Sequence, residues 1–365
     1  MRVPFNELRE SSPTLRAAIS AEIEEVVDSG IFINGPKTEK FVSDFSNFVG
    51  QPHVLPVGNG TDALEICLRA LDVGPGDDVV TVANAGGYAS TAVFQVGANP
   101  RYVDVSDADL LMSPPLLRSF LGEQDCLPKA VIVTHLFGAM APIEEIVKIC
   151  NKFAVPVIED CAQAMGLRRM NRHAGTYGLM STFSFYPTKN LGALGDAGAI
   201  VTADPGLARR AAELAQYGWA RKYFVRQKFG RNSRMDEIQA AVLSRRLAGL
   251  EEENIRRLAI FNKLASSVPD GHFVHWGGKD FNAHLAVIRT SNRKAVQDHL
   301  TGKGIETAIH YPMPDHQQSA YAPATVSLPI TESNAHKILS VPCHPRISPD
   351  QLARLTDALS GAPLC

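Results

Sequence analysis

Apolar residues recur along the chain with two spacings, and the switches between them mark its organisation. Ser12 followed by Pro13 supplies a helix cap and a first-turn proline, and Leu15, Ile19, Ile23, Val26 and Val27 carry one apolar stripe until Gly30 stops it. A second helix carries Phe41, Phe45, Phe48 and Val49. From residue 54 the pattern turns to short apolar runs at 54–57, 78–82, 101–105, 130–136, 155–160, 181–186 and 198–202. Runs apolar on both faces and separated by helical stretches predict a mostly parallel central sheet with helices on both sides. Residues 205–262 read as helical. Beyond them, 272–276, 283–289 and 305–309 predict strands, and 292–303 and 349–360 predict helices. The pattern is that of an α/β protein with a large unit over residues 1–249, N-terminal helices included, and a smaller C-terminal α/β unit over 250–365.

At 365 residues the chain is long enough for two such units and a sizeable core. Its 36 Lys and Arg nearly balance 38 Asp and Glu, so it lacks the polycationic face that nonspecific nucleic-acid binding needs. No run approaches the ~18 apolar residues of a membrane-spanning helix, and the opening MRVPFNELRESSP lacks an apolar signal core. A cytoplasmic location is expected. The six cysteines are scattered without a C-x-x-C pair, which predicts reduced, mostly buried thiols and no metal set or disulfide framework.

Three short segments carry candidate chemistry. Gly58-Asn59-Gly60-Thr61-Asp62-Ala63 follows a strand and opens a helix, with Asp78 further on, as in a dinucleotide-binding turn. Asp77 and Asp78, however, precede the next strand, whereas a ribose-binding acid belongs at its end. What remains is a glycine-rich turn at a helix N-terminus, where free N–H groups and the helix dipole favour a phosphate; Gly60 permits close approach and Thr61 adds a hydroxyl. A tight strand-to-helix turn without a ligand is the plainer alternative. In 183–198, Lys189 lies just past an apolar strand among small residues. Most such lysines are surface groups, yet one partly desolvated at the mouth of a parallel sheet is an amine nucleophile toward an aldehyde. In 157–166, Asp160 ends a strand on the rim where open α/β sheets bind ligands, and Gln163 follows. A helix cap is the ordinary role for such an Asp. Phosphate turn, amine and acid together are the three anchors of pyridoxal phosphate, whose ring works as an electron sink when an anion keeps its nitrogen protonated.

With VPFNEL, GNGTDAL, GANPRYVDV, HLFG, EDCAQAMG, FSFYPTKNLGALGDAGAIVT, GRNSRMDEIQAAVL, IHYP and LSVPCHP in this order, the chain resembles the DegT/DnrJ/StrS family of sugar aminotransferases over nearly its whole length. The resemblance implies a fold-type I, aspartate-aminotransferase-like enzyme that uses pyridoxal phosphate and passes through its amine form. It implies that Lys189 is the Schiff-base lysine, Asp160 the partner of the ring nitrogen and Gln163 a group near the ring's 3-hydroxyl. Ser184, with Gly60 and Thr61, resembles the phosphate site. Asn232 resembles a residue that reaches the phosphate of a neighbouring subunit, which implies a homodimer with sites at the interface. The segment NAGGYAST (84–91) departs from the family pattern by an extra small residue, and Tyr88 is placed as the aromatic stacked on the ring. Relatives with histidine at the lysine position carry out dehydration, so Lys189 favours amino transfer.

The implied reaction moves an amino group from a donor, L-glutamate by family habit, to a nucleotide-linked keto-sugar. The wording NAGGY and GRNSRMDEIQAA resembles members that aminate C3 of dTDP-linked 3-keto-6-deoxyhexoses. Arg221, Lys222, Arg226, Lys228 and Arg231 form a basic cluster that fits a nucleotide diphosphate and equally fits a solvated loop. His310, Tyr311 and His316 lie in a loop that the family places near the site. Two alternatives stay open: a non-catalytic regulatory member of the same fold, and a pyridoxal enzyme acting on amino acids.

Overall fold

Ser12 Oγ accepts from the Leu15 N–H at 3.2 Å and starts α1 (Pro13–Ser29), which Gly30 closes in a left-handed conformation. Helix α2 (Pro36–Val49) buries Phe41, Phe45 and Val49. The computed structural model describes residues 2–275, 278, 280–321 and 326–364. Strands and helices then alternate: β1 (His53–Val57), α3 (Gly60–Ala70), β2 (Asp78–Thr81), α4 (Tyr88–Gln95), β3 (Asn99–Tyr102), α5 (Pro114–Gly122), β4 (Ala130–Thr134), α6 (Ile143–Lys152) and β5 (Val157–Asp160). A small hairpin of β6 (Arg168–Arg169) and β7 (Arg172–His173) precedes β8 (Met180–Ser184) and β9 (Gly198–Thr202).

Seven of these strands form one sheet in the order β1-β9-β8-β5-β4-β2-β3. Neighbours are parallel except at β9, which runs against both β1 and β8. Side chains alternate across the sheet as the pleat requires. Val79, Ala130, Ile132, Ile158 and Ile200 belong to a core shared with α3, α4 and α7 (Pro205–Ala215). Val80, Val131, Val133, Val157 and Val201 belong to the opposite core, which continues through α2 into the C-terminal part of the chain. Both faces are covered, which is why these strands read as unbroken apolar runs. Register places Thr134 opposite Asp160 and Asp160 opposite Thr182, so the carboxyl ends of β4, β5 and β8 share one rim.

The continuous helix read over 205–262 is interrupted. Helix α7 stops at Ala215, and a hairpin of β10 (Trp219–Arg221) and β11 (Phe224–Val225) follows before α8 (Glu237–Leu247) and α9 (Leu250–Ala265). The Arg226 and Gln227 N–H groups both donate to Gly218 O, at 2.7 and 3.0 Å, so the backbone there closes a hairpin rather than a helical ladder. The C-terminal part holds β12 (Ala286–Arg289), α10 (Arg293–Gly302), α11 (Pro329–Ala335), β13 (Ile338–Val341) and α12 (Pro349–Ser360), with β12 and β13 antiparallel. Of the three strands read there, 283–289 shortens to β12. The other two reduce to bridges, Phe273 with Ile288, Ile305 with Val3 and Ala308 with Ser340, and Trp276 lies outside the described residues. These stretches add one pair each to a sheet whose ladder is already made by two strands.

Phe45 joins the helical layer to the sheet: its ring lies 5.4 Å from Phe41 and meets Phe183 and Phe185 edge-on at 5.2 and 5.4 Å. Phe45→Ala is expected to destabilise the fold by about 3–5 kcal/mol in chemical denaturation, while Val27→Ala on the exposed side of α1 changes stability by under about 0.5 kcal/mol.

Candidate active site

A cavity of about 500 Å³ opens at the rim where β5 and β8 end. The α3 N-terminus, the turn after β8, the start of α4 and the segment 309–311 wall it, so it draws on both the sheet region and the C-terminal part. Gly60, Thr61, Tyr88, Asp160, Gln163, Ser184, Lys189, His310 and Tyr311 all line it.

Asn59 caps α3 by accepting from the Asp62 N–H at 2.8 Å. The Gly60 and Thr61 N–H groups precede the first intrahelical bond, Ala63 N to Asn59 O at 3.1 Å, and have no backbone partner among the described residues. They point a small cluster of donors into the cavity at the positive end of the helix. A Cβ on Gly60 would come within 2.8 Å of Ser184 Cβ, so glycine lets the strand end and the helix start close on one another. This pocket of N–H groups with a hydroxyl beside it fits a phosphate.

On β5 the pleat sends neighbouring acids to opposite sides. Asp160 borders the cavity and accepts from the Ala162 N–H at 3.1 Å. Glu159 is fully buried and accepts from Gly175 at 2.8 Å, Tyr177 at 2.6 Å, Gly178 at 2.6 Å and His135 Nε2 at 3.0 Å. Burial pushes the Asp160 carboxyl up and the Lys189 ammonium down, while the attraction between the two opposes both shifts. Sequence reading finds no metal set, yet His135, Glu159 and Cys161 lie together with ligand atoms within 4.8 Å of one another. His135 and Glu159 are already committed, His135 Nδ1 accepting from the Ala141 N–H at 3.1 Å and Glu159 accepting from four donors, while burial and the neighbouring acids Glu159 and Asp160 hold the Cys161 sulfur as a thiol. The His135–Glu159 pair is a hydrogen-bonded brace under β5.

Gln163 Oε1 accepts from the Phe137 N–H at 2.6 Å, and its Nε2 donates to the Tyr311 hydroxyl at 3.2 Å. Tyr88 meets Tyr311 edge-on with ring centroids 6.3 Å apart. The extra small residue before Tyr88 has a use here: Gly86 has a φ of +82°, and a Cβ on it would stand 2.8 Å from the Tyr311 ring. His310 bonds Ser340 Oγ at 2.9 Å, and burial lowers its imidazole pKa to about 4.

Four of the substrate or shared-site positions read from the sequence lie outside this cavity. Arg231 is committed to α3, pairing with Asp62 at 2.8 Å and with Glu65. Arg221 stacks on Phe224 and Lys222 on Tyr223, both exposed on the β10–β11 hairpin. Asn232 is exposed beside Ser233, whose hydroxyl accepts from the Gly58 N–H at 2.9 Å. Within the basic cluster Arg226 pairs with Glu213, and His316 is buried against Glu332 at 3.0 Å. Sequence reading missed Tyr186, Asp196 and His284, which also line the cavity. Tyr186 and Asp196 flank Lys189 and proximity flags them, whereas His284 sits in a stretch legible only as a strand.

Residues 13–360 match the DegT/DnrJ/EryC1/StrS aminotransferase family. The chain is 38% identical over 365 residues to dTDP-3-amino-3,4,6-trideoxy-alpha-D-glucose transaminase of Streptomyces venezuelae, covering 98% of this chain and 95% of that protein. The crystal structure of S. venezuelae DesV superposes with a TM-score of 0.92 at 37% identity, covering 98% of each chain. The Bacillus subtilis protein ntda, solved with bound cofactor PMP, superposes with a TM-score of 0.91 at 29% identity over 98% of this chain and 84% of that one. No helix among the described residues is long and apolar enough to cross a membrane. The chain belongs to the DegT/DnrJ/EryC1/StrS aminotransferase family and is a pyridoxal-phosphate-dependent aminotransferase.

Proposed function

We propose that this enzyme transfers an amino group from L-glutamate to C3 of a dTDP-linked 3-keto-6-deoxyhexose, working as a homodimer. The observation that carries the reading is the cavity that unites a desolvated amine, a buried acid and the free Gly60 and Thr61 N–H groups of a helix N-terminus. The 38% identity to a transaminase named for a dTDP-3-amino sugar supports the substrate class and the carbon.

The residues fit the cofactor by their chemistry. Gly60 and Thr61 N–H groups with the Ser184 hydroxyl hold a phosphate, and Asp160 holds a proton on a pyridine nitrogen. Tyr88 supplies a ring face at the cavity wall, and Gln163 a donor beside a phenolic oxygen. Bound pyridoxal phosphate supplies an aldehyde that takes up the amino group and a ring that withdraws electrons from the adjoining carbon. Lys189 Nζ, its ammonium form disfavoured by burial, attacks as an amine and, when free, takes and returns the proton at the reacting carbon. Asp160, kept from water, stabilises positive charge on the ring more strongly than a solvated acid would. Residues 1–249 would form the cofactor-binding unit and 250–365 the smaller unit that closes the cavity.

The hairpin supports the dimer. Tyr223 is 74% exposed and Phe229 69%, with Phe224, Val225 and Tyr217 also exposed beside them. Such an exposed apolar cluster on and beside the hairpin fits a partner surface. Seated on a second copy, it would carry Arg221, Lys222 and Asn232 toward the partner's cavity, where the two cations and the amide meet phosphate. Arg231 instead holds the loop to α3.

Borohydride treatment of the holoenzyme is expected to fix the cofactor to Lys189 by peptide mass spectrometry, and Lys189→Ala to lose the adduct. Retention of the adduct by the variant overturns the assignment. Glutamate without sugar should release 2-oxoglutarate; no half-reaction with any amino acid would favour a regulatory member, and carbon dioxide release an enzyme of amino acids. Mixing inactive Asn232→Ala and Lys189→Ala subunits should restore about a quarter of native activity, because half of the dimers then hold one complete site. No restoration counts against shared sites.

A further inference from the structure

His284 lines the cavity and has no part in the roles above. A chain of amides, with Asn254 and Asn282 buried and Asn190 partly buried, fixes which of its ring nitrogens carries hydrogen. Met165 O can only accept, and Asn254 Nδ2 donates to it at 3.0 Å, which turns Asn254 Oδ1 toward Asn190. Asn190 Nδ2 donates to that oxygen at 2.8 Å and to Asn282 O at 3.3 Å, so Asn190 Oδ1 is the atom 2.8 Å from His284 Nδ1. An amide oxygen only accepts, so Nδ1 bears the hydrogen and Nε2 the lone pair. The backbone is fixed in the same way. Asn282 Nδ2 donates to Gln163 O and Met165 O at 3.3 and 3.0 Å, and its Oδ1 accepts from the His284 N–H at 3.1 Å.

Nothing among the described residues donates to Nε2. Burial, helped by the cationic Arg257 and by Lys189 when charged, keeps the ring neutral; the neighbouring His310 is itself held neutral by burial. Asn190, which sets the tautomer, adjoins Lys189 in the chain.

We infer that His284 is a positioning residue for Lys189: its Nε2, held bare by the amide chain, accepts a hydrogen bond from Lys189 Nζ whenever that amine is free. An acceptor engages one N–H and leaves the nitrogen lone pair aimed at the substrate. An Nε2–H would do the reverse, competing for the lone pair that the attack needs. The inference rests on the reading of Lys189 as an amine that alternates between bonded and free.

Nitrogen-15 NMR of histidine-labelled protein, with and without cofactor, tests it directly. His284 is expected in the Nδ1–H form with no titration between about pH 6 and 9. Asn190→Asp places a carboxylate against Nδ1, which raises the basicity of the ring, so the glutamate half-reaction gains an acid limb that native protein lacks. His284→Phe should slow that half-reaction roughly tenfold while glutamate affinity changes less than about twofold. An Nε2–H tautomer in the native protein overturns the inference, as does an unchanged half-reaction in cofactor-loaded His284→Phe. Failure of native protein to attach cofactor at Lys189 would instead strike the proposed function, and the tautomer is measured independently of it.

Discussion

The site depends on the energetic cost of taking an ammonium and a carboxylate out of water side by side. Alone, each group would shed its charge on burial; facing one another, Lys189 and Asp160 each moderate the shift of the other. That balance yields an amine ready to react and an acid able to carry a neighbouring positive charge. It holds only while the two groups are aimed into one enclosed space, and the parallel sheet ensures this. Strands that run the same way deliver their carboxyl ends to one rim, with a helix N-terminus brought back beside them.

Rigidity beneath the rim comes from groups that never reach the cavity. Glu159 gathers three backbone N–H groups and the His135 ring, which pins the 175–178 turn and β5 together one residue before Asp160. The asparagines 190, 254 and 282 do the same behind Lys189, tying the turn after β8 to α9 and to the stretch before β12. Each network is fully satisfied at its centre, so it specifies one arrangement instead of leaving a buried polar group without a partner.

Much of this was legible in the residues. Doubly covered strands announce themselves as apolar runs, and the seven runs between residues 54 and 202 each overlap a strand of the main sheet. Asp160, Gly60 and Ser184 were readable because each stands at a strand end or helix start, where direction in space follows from direction in the chain, and Lys189 because it lies in the turn directly after such a strand end. The β10–β11 hairpin was misread as helix because its fold is decided by Gly218 O collecting two N–H groups, a contact that periodicity does not encode. Arg231 looked available because its partners, Asp62 and Glu65, are far off in sequence. His284 was invisible for the same reason: its neighbours at the site come from three separate segments.

The Arg231 and Ser233 contacts make one mechanical unit of the loop after the hairpin and the first turn of α3. Ser233 holds the Gly58 N–H, and Arg231 clamps two acids on the helix that begins two residues later. Whatever orders that loop from outside therefore also tightens the N–H cradle, and whatever fills the cradle stiffens the loop. Were a second copy what orders that loop, its docking and the retention of the prosthetic group would be thermodynamically linked, and dilution would loosen both together.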